Sequence, residues 1–111
     1  MKPMNEMSVS FLSCSANESF GRAAVAVFAA QLDPTIDELS DIKTAVSEAV
    51  TNCIVHAYKD TIALIYITCK LYENGRITIK IHDKGCGIEN IEQAMQPLLS
   101  TAGDESAGLG F

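Results

Sequence analysis

The sequence predicts an α+β fold in two layers, with helices packed on one face of a mostly antiparallel sheet. Residues 65–71 and 77–81 alternate apolar and polar side chains, which is the period of a half-buried strand. Residues 17–32 and 35–57 repeat apolar side chains every three or four positions, which is the period of an amphipathic helix. At 111 residues the chain is long enough for one core, so residues 1–111 are expected to form a single domain.

The first two predicted elements are a strand at residues 7–11 and a helix that begins after it. Apolar side chains alternate with serines in the strand. Asn17 is the expected N-cap of the helix, and Arg22 is expected on its exposed side. The predicted apolar face of this helix consists of Phe20, Ala24, Val27, Phe28 and Leu32.

The second predicted helix has a clearer start, because Thr35 and Glu38 have the spacing of a capping box. It is expected to run to about residue 57. Its predicted buried stripe consists of Leu39, Ile42, Val46, Ala49, Val50, Cys53 and Ala57.

A β-hairpin is predicted next, with Asn74 and Gly75 as a two-residue turn between the alternating segments. The second strand of the hairpin ends at Asp83. Residues 90–96 are expected to form a short helical segment that Pro97 stops.

The composition excludes several classes of protein. Acidic residues outnumber basic ones by 14 to 8, and the formal net charge of -6 opposes direct binding to nucleic acid or to an anionic membrane. The first residues lack the apolar core of a signal peptide, and no apolar run approaches the roughly 20 residues of a membrane span. A cytoplasmic location is expected. The cysteines lack a CxxC pair, so we expect reduced thiols, with Cys53 and Cys69 in the core.

Three polar residues of the second helix, Glu48, Asn52 and His56, follow one another at intervals of four. Such residues lie about 40° apart around the helix axis and roughly 6 Å apart along it, so they form a row on one side. A polar row of this kind is most often a solvated face. Residues 83–87, with an aspartate and two glycines, equally suit a plain turn.

Taken in order, these features resemble the ATP-binding family that includes gyrase B, the Hsp90 chaperones, histidine kinases and MutL. Residues 48–56 match the first motif of that family, residues 83–87 the second, and residues 108–111 the third. Within the family, the run QLDPTIDELSDIKTAVSEAVTNCIVHAY, with NESFGRA before it and IEQAMQPLLST after it, is similar to the anti-sigma serine kinases of spore-forming bacteria. The resemblance covers essentially all 111 residues and implies a Bergerat-type fold.

The resemblance implies a site for ATP or ADP with Mg²⁺. Asn52 would hold Mg²⁺, which requires oxygen ligands, and Glu48 would act on the incoming hydroxyl as the catalytic residue. Asp83 would accept a hydrogen bond from the exocyclic amine of adenine. The other implied nucleotide-binding residues are His56, Gly85, Gly87, Ser100, Thr101, Gly108 and Gly110.

The resemblance also implies protein partners. A homodimer would bind a sporulation sigma factor, and the kinase would phosphorylate a serine of an anti-anti-sigma protein. Arg22 corresponds to a family position used in partner contact, and its alternative interpretation is a solvated arginine.

Other functions are compatible with parts of the sequence. The chain ends at Phe111, where relatives begin a helix and further strands, so the C-terminal strands are expected to be missing and a kinase-inactive nucleotide- or partner-binding module of the same fold is the alternative. The ATPase domain of a sensor histidine kinase is disfavoured, because no dimerisation helices precede the domain. A metal hydrolase using Glu48, His56, His82 and Asp83 is weaker again, because neither His-x-x-x-His nor HExxH occurs.

Overall fold

The computed structural model describes residues 2–57, 61–83 and 87–94. Its main elements are β1 (Asn5–Leu12), α1 (Ala16–Ala29), α2 (Ile36–Asn52), β2 (Leu64–Leu71), β3 (Arg76–Asp83) and β4 (Gly87–Ala94). A 3₁₀ turn (Ala30–Leu32) follows α1, and a π-helical turn (Cys53–Ala57) follows α2. The strands pair in the order β1-β2-β3-β4, every neighbouring pair antiparallel. This is the predicted α+β fold.

The hydrophobic core lies between the two helices and one face of the sheet. β2 and β3 bury every second side chain, as their apolar alternation predicts. Each fully buried Val, Leu or Ile contributes about 1.5–3 kcal/mol relative to an exposed one. The predicted core positions of both Cys53 and Cys69 are confirmed. The core cluster consists of Phe11, Val25, Ala29, Ile42, Val46, Ala49, Val50, Cys53, Ile65, Ile67, Cys69, Leu71, Ile77, Ile79 and Ile81.

The capping box predicted for α2 is present. The Thr35 hydroxyl accepts a hydrogen bond from the Glu38 backbone N–H at 3.1 Å, and the Glu38 carboxylate accepts one from the Thr35 N–H at 2.8 Å. The α-helix ends at Asn52, five residues before the predicted end, because the chain continues as the π-helical turn Cys53–Ala57. Single π turns of this kind are frequent at functional sites.

The start of α1 differs from the prediction. Ser15 is the N-cap, without a side-chain capping bond, so the assignment of Asn17 as the cap is wrong. The Asn17 side chain instead donates to the Leu12 carbonyl at 2.9 Å and so ties the first turn of α1 to the end of β1.

The buried face of α1 agrees only in part with the predicted one, since Phe28 and Leu32 pack against the core as expected. Val27 is 74% exposed and Phe20 is 49% exposed, whereas both were expected to face the core. The residues that α1 buries are Gly21, Val25, Ala26 and Ala29. A Cβ on Gly21 would lie 3.0 Å from the ring of Phe11, so the missing side chain lets the helix approach the sheet closely.

The β2–β3 hairpin has a longer turn than predicted. The Tyr72 N–H donates to the Arg76 carbonyl at 2.9 Å, and the Gly75 N–H donates to the Tyr72 carbonyl at 3.0 Å. The loop is therefore residues 73–75, with Gly75 in the left-handed region at φ 83°. This is the common three-residue hairpin loop, in which glycine takes the last position.

The short helix predicted at residues 90–96 is wrong for its described part, because residues 90–94 belong to strand β4. β4 pairs with β3 from Asp83 opposite Gly87 to Arg76 opposite Ala94. A helix of seven residues is marginal in isolation, whereas pairing with β3 satisfies the backbone groups and places Ile91 beside Ile79 against the core.

Candidate functional site

The exposed side of α2 carries two of the predicted site residues. Glu48 and Asn52 are both exposed and lie one helical turn apart, so they share one face of the helix as the sequence predicted. The backbone of His56 lies in the following π-helical turn, and its side chain is outside the described part of the chain.

The third predicted residue, Asp83, lies at the end of β3. It continues the core-facing series of Ile79 and Ile81, so it lies on the same side of the sheet as α2. Asp83 is only 7% exposed. Gly87 pairs directly opposite it at the start of β4. A carboxylate at the end of an apolar layer is a strong and well-oriented hydrogen-bond acceptor.

His82 and Asp83 are neighbours in sequence but lie on opposite faces of the sheet. The ring of His82 stacks on Tyr66, with ring centroids 5.2 Å apart and planes 15° apart, on the face away from the helices. Within the described residues, no three His, Cys, Asp or Glu side chains come together as a possible metal site. A metal hydrolase would need the side chains of His82 and Asp83 close together. The structure instead places them on opposite faces of the sheet.

A surface groove between α1 and α2 brings Arg22 and Glu48 to one place. The groove has a volume of about 450 Å³. Its lining consists of Arg22, Ser40, Lys43, Thr44, Ser47 and Glu48. Two residues that the sequence assigned to separate roles, partner contact and catalysis, therefore border the same space.

Glu18 contacts two residues that line this groove, and the sequence analysis did not predict that role. Its Oε2 atom lies 3.3 Å from Nη1 of Arg22 and also accepts a hydrogen bond from the Ser47 hydroxyl. The Glu18–Arg22 pair has the i,i+4 spacing of a helical ion pair and could have been read from the sequence. The contact with Ser47 crosses between helices and has no sequence signal.

Five predicted nucleotide-binding residues lie outside the described part of the chain. They are Gly85, Ser100, Thr101, Gly108 and Gly110. Among the helices that the structure describes, none combines the length and the apolar character that a membrane span requires.

Comparison with known proteins places this architecture in a family. Residues 16–111 match the histidine kinase-like ATPase domain family. The chain is 58% identical over 112 residues to the anti-sigma F factor of Caldanaerobacter subterraneus subsp. tengcongensis, an alignment that covers 100% of this chain and 78% of the relative. The chain belongs to the anti-sigma F factor family.

Other anti-sigma F factors give the same result. That of Thermoanaerobacter pseudethanolicus is 58% identical over 112 residues, covering 100% of this chain and 78% of the relative. That of Priestia megaterium is 50% identical over 109 residues, covering 96% of this chain and 74% of the relative. As a histidine kinase-like ATPase domain, this member of the anti-sigma F factor family is an ATP-binding protein of the kinase type. Glu48, Asn52 and Asp83 all fall inside the matched residues 16–111.

Proposed function

We propose that the chain is an anti-sigma factor with serine/threonine protein kinase activity. It binds a sporulation sigma factor and phosphorylates a serine of an anti-anti-sigma protein, using Mg-ATP, and it acts as a cytoplasmic homodimer. The observation that carries the proposal is that Arg22 and Glu48 line one groove in a chain of the anti-sigma F factor family. Under this proposal, the residue for protein contact and the residue for phosphoryl transfer are neighbours on one surface.

The side-chain oxygens of Asn52 on α2 and Asp83 on β3 support the proposed binding of an adenine nucleotide with Mg²⁺. Mg²⁺ takes oxygen ligands and is usually held by one or two side chains together with phosphate oxygens and water, so the single carboxamide oxygen of Asn52 is a sufficient protein ligand. The buried carboxylate of Asp83 is suited to accept a hydrogen bond from the exocyclic amine of adenine. Mg-ATP, when bound, supplies the γ-phosphoryl group.

The exposure of Glu48 supports its proposed action on the phosphoryl acceptor. Its side chain is exposed and borders the groove, so the serine of a docked protein can reach its carboxylate. The carboxylate orients the serine hydroxyl and accepts its proton as the oxygen attacks. Such proton transfer typically contributes about 10²–10⁴-fold to a rate, and the remaining acceleration comes from positioning and charge neutralisation.

In this proposal Arg22 holds the protein partner beside the same groove. A guanidinium offers five N–H donors in a planar fork, which matches a carboxylate better than an ammonium does. We therefore expect an acidic side chain of the partner to bind Arg22 while the serine lies beside Glu48. Lys43, which also lines the groove, adds a second positive charge for the same acidic surface.

The first test is phosphorylation of an anti-anti-sigma protein. Purified chain is incubated with Mg-ATP and an anti-anti-sigma protein from a spore-forming bacterium, and phosphoserine is measured by mass spectrometry. We expect Glu48→Ala to lower the initial rate about 10²–10⁴-fold while ATP affinity stays within about twofold, because Glu48 acts on the acceptor hydroxyl. Asp41→Asn is the matched control, since Asp41 is an exposed carboxylate of the same helix.

Two results would contradict parts of this proposal. An unchanged rate in Glu48→Ala removes Glu48 from catalysis. Nucleotide binding and sigma-factor capture without any phosphoserine in the wild-type protein identify a kinase-inactive binding module instead.

A further inference from the structure

The carboxylate of Glu18 connects α1 to α2 next to the proposed catalytic residue. Its Oε2 atom takes two contacts, one from Arg22 Nη1 at 3.3 Å and one from the Ser47 hydroxyl. Arg22 lies one turn after Glu18 on α1, whereas Ser47 immediately precedes Glu48 on α2. The Glu18 contacts therefore link Arg22 to the residue that precedes Glu48, and both Arg22 and Glu48 line the groove.

This arrangement limits where the Arg22 guanidinium can lie. An isolated i,i+4 ion pair on a helix surface contributes little stability, because the entropy cost of ordering both side chains offsets most of the electrostatic gain. Here the Glu18 side chain is only 20% exposed and Ser47 fixes the same oxygen from the other helix. Arg22 itself stays 40% exposed and lines the groove, so its guanidinium is anchored at one nitrogen and open to a ligand at the groove.

We propose that Glu18, held by Ser47, is a positioning residue that fixes the Arg22 guanidinium relative to Glu48. The ligand that this arrangement selects is a carboxylate on the protein substrate, placed at a set distance from the serine that reaches Glu48. The inference rests on the proposed kinase function. It adds that the Glu18–Ser47 contact between the two helices fixes the spacing of Arg22 and Glu48.

A double-mutant cycle tests whether Glu18 acts through Arg22. The Kd for an anti-anti-sigma protein is measured for wild type, Glu18→Gln, Arg22→Ala and Glu18→Gln/Arg22→Ala. We expect Arg22→Ala to weaken binding about tenfold or more and Glu18→Gln about three- to tenfold. In the double variant we expect no more than about a twofold change beyond Arg22→Ala, because the residue that Glu18 positions is then absent.

Matched controls separate positioning from loss of charge. Glu6→Gln removes one exposed carboxylate from β1, away from the groove, and is expected to leave the Kd within about twofold. Ser47→Ala is expected to raise the Kd as much as Glu18→Gln does. Ser47→Thr keeps the hydroxyl and is expected to have the Kd of wild type. An effect of Glu18→Gln that is equally large with and without Arg22 would overturn the proposal, since Glu18 would then touch the partner itself. An unchanged Kd in Glu18→Gln also overturns it.

A measurement without the partner distinguishes failure of this inference from failure of the proposed function. The side-chain Nε–H signal of Arg22 in NMR reports how far the guanidinium is ordered. We expect its order parameter to fall in Glu18→Gln and Ser47→Ala but not in Glu6→Gln. If wild type binds no anti-anti-sigma protein, the kinase proposal fails, and the NMR result still decides the positioning role. Equal order of Arg22 in all variants contradicts that role.

Discussion

At the scale of single residues, the adenine end of the proposed site depends on Asp83. Its carboxylate is buried at the end of β3, where water competes little for its hydrogen bonds. We expect Asp83→Asn to weaken ATP binding about tenfold or more, because the carboxamide places an N–H₂ donor where an acceptor is required. ATP affinity is measured by calorimetric titration, and the melting temperature is measured alongside it.

Glu73→Gln is the control for this substitution, since Glu73 is an exposed carboxylate in the β2–β3 loop. The assignment of Asp83 is refuted by equal ATP affinity in Asp83→Asn, or by a loss of affinity that merely follows a loss of folded protein.

At the scale of elements, α2 is held at its start by the capping box of Thr35 and Glu38. We expect Thr35→Ala to lower the free energy of unfolding by about 1 kcal/mol, because the first turn loses a side-chain acceptor for a backbone N–H. Chemical denaturation measures the change. Thr51→Ala, at an exposed position of the same helix, is expected to leave stability unchanged or slightly raised. Equal loss in both variants would count against a role for the cap.

The packing of α1 against the sheet depends on Gly21. A Cβ at this position would lie 3.0 Å from Cζ of Phe11 and 3.3 Å from Cδ1 of Ile67. We expect Gly21→Val to lower the free energy of unfolding by about 1–3 kcal/mol, since its further methyl groups overpack this contact. Ala23→Val adds the same branched side chain at an exposed position of α1 and is expected to cost only about 0.5 kcal/mol. Thermal unfolding of the two variants gives the comparison, and similar melting temperatures would contradict the close approach.

At the scale of the whole molecule, the buried thiol of Cys69 makes folding sensitive to alkaline pH. Burial raises the pKa of Cys69 from its ordinary value of 9.0 to about 12. Below pH 9 the thiol is protonated in both the folded and the unfolded protein, so the stability linked to this pKa shift is fully present. Between pH 9 and about 12 the unfolded chain ionises first, so stability falls as pH rises, by up to about 1.4 kcal/mol per unit from this thiol.

Denaturant unfolding between pH 8 and 11 measures this effect. We expect the fall in stability above pH 9 to be smaller in Cys69→Ala than in wild type, although Cys69→Ala is less stable at neutral pH because it removes a core sulfur. Cys14→Ala, at a half-buried position, provides the comparison. Parallel curves for wild type and Cys69→Ala would show that Cys69 does not cause the slope.

Local patterns in the sequence determined much of this fold. The alternation of apolar and polar side chains predicted β2 and β3, and the spacing of Thr35 and Glu38 predicted the start of α2. Both signals depend only on residues a few positions apart. The same locality applies to the shared face of Glu48 and Asn52, which follows from helix geometry alone. The sequence alone also indicated membership of the ATP-binding family, since the motifs of that family are short and occur in a set order.

Tertiary structure alone decided the rest. α1 buries Gly21 against Phe11 and leaves Phe20 half-exposed at the edge of the same ring, because the close approach of helix and sheet leaves little room for a side chain at position 21. Residues 90–94 form a strand because β3 offers them backbone partners. Arg22 and Glu48 border one groove because α1 packs beside α2, where Glu18 contacts Ser47. Each outcome depends on groups distant in sequence, whose contacts form only when the helices and strands pack together.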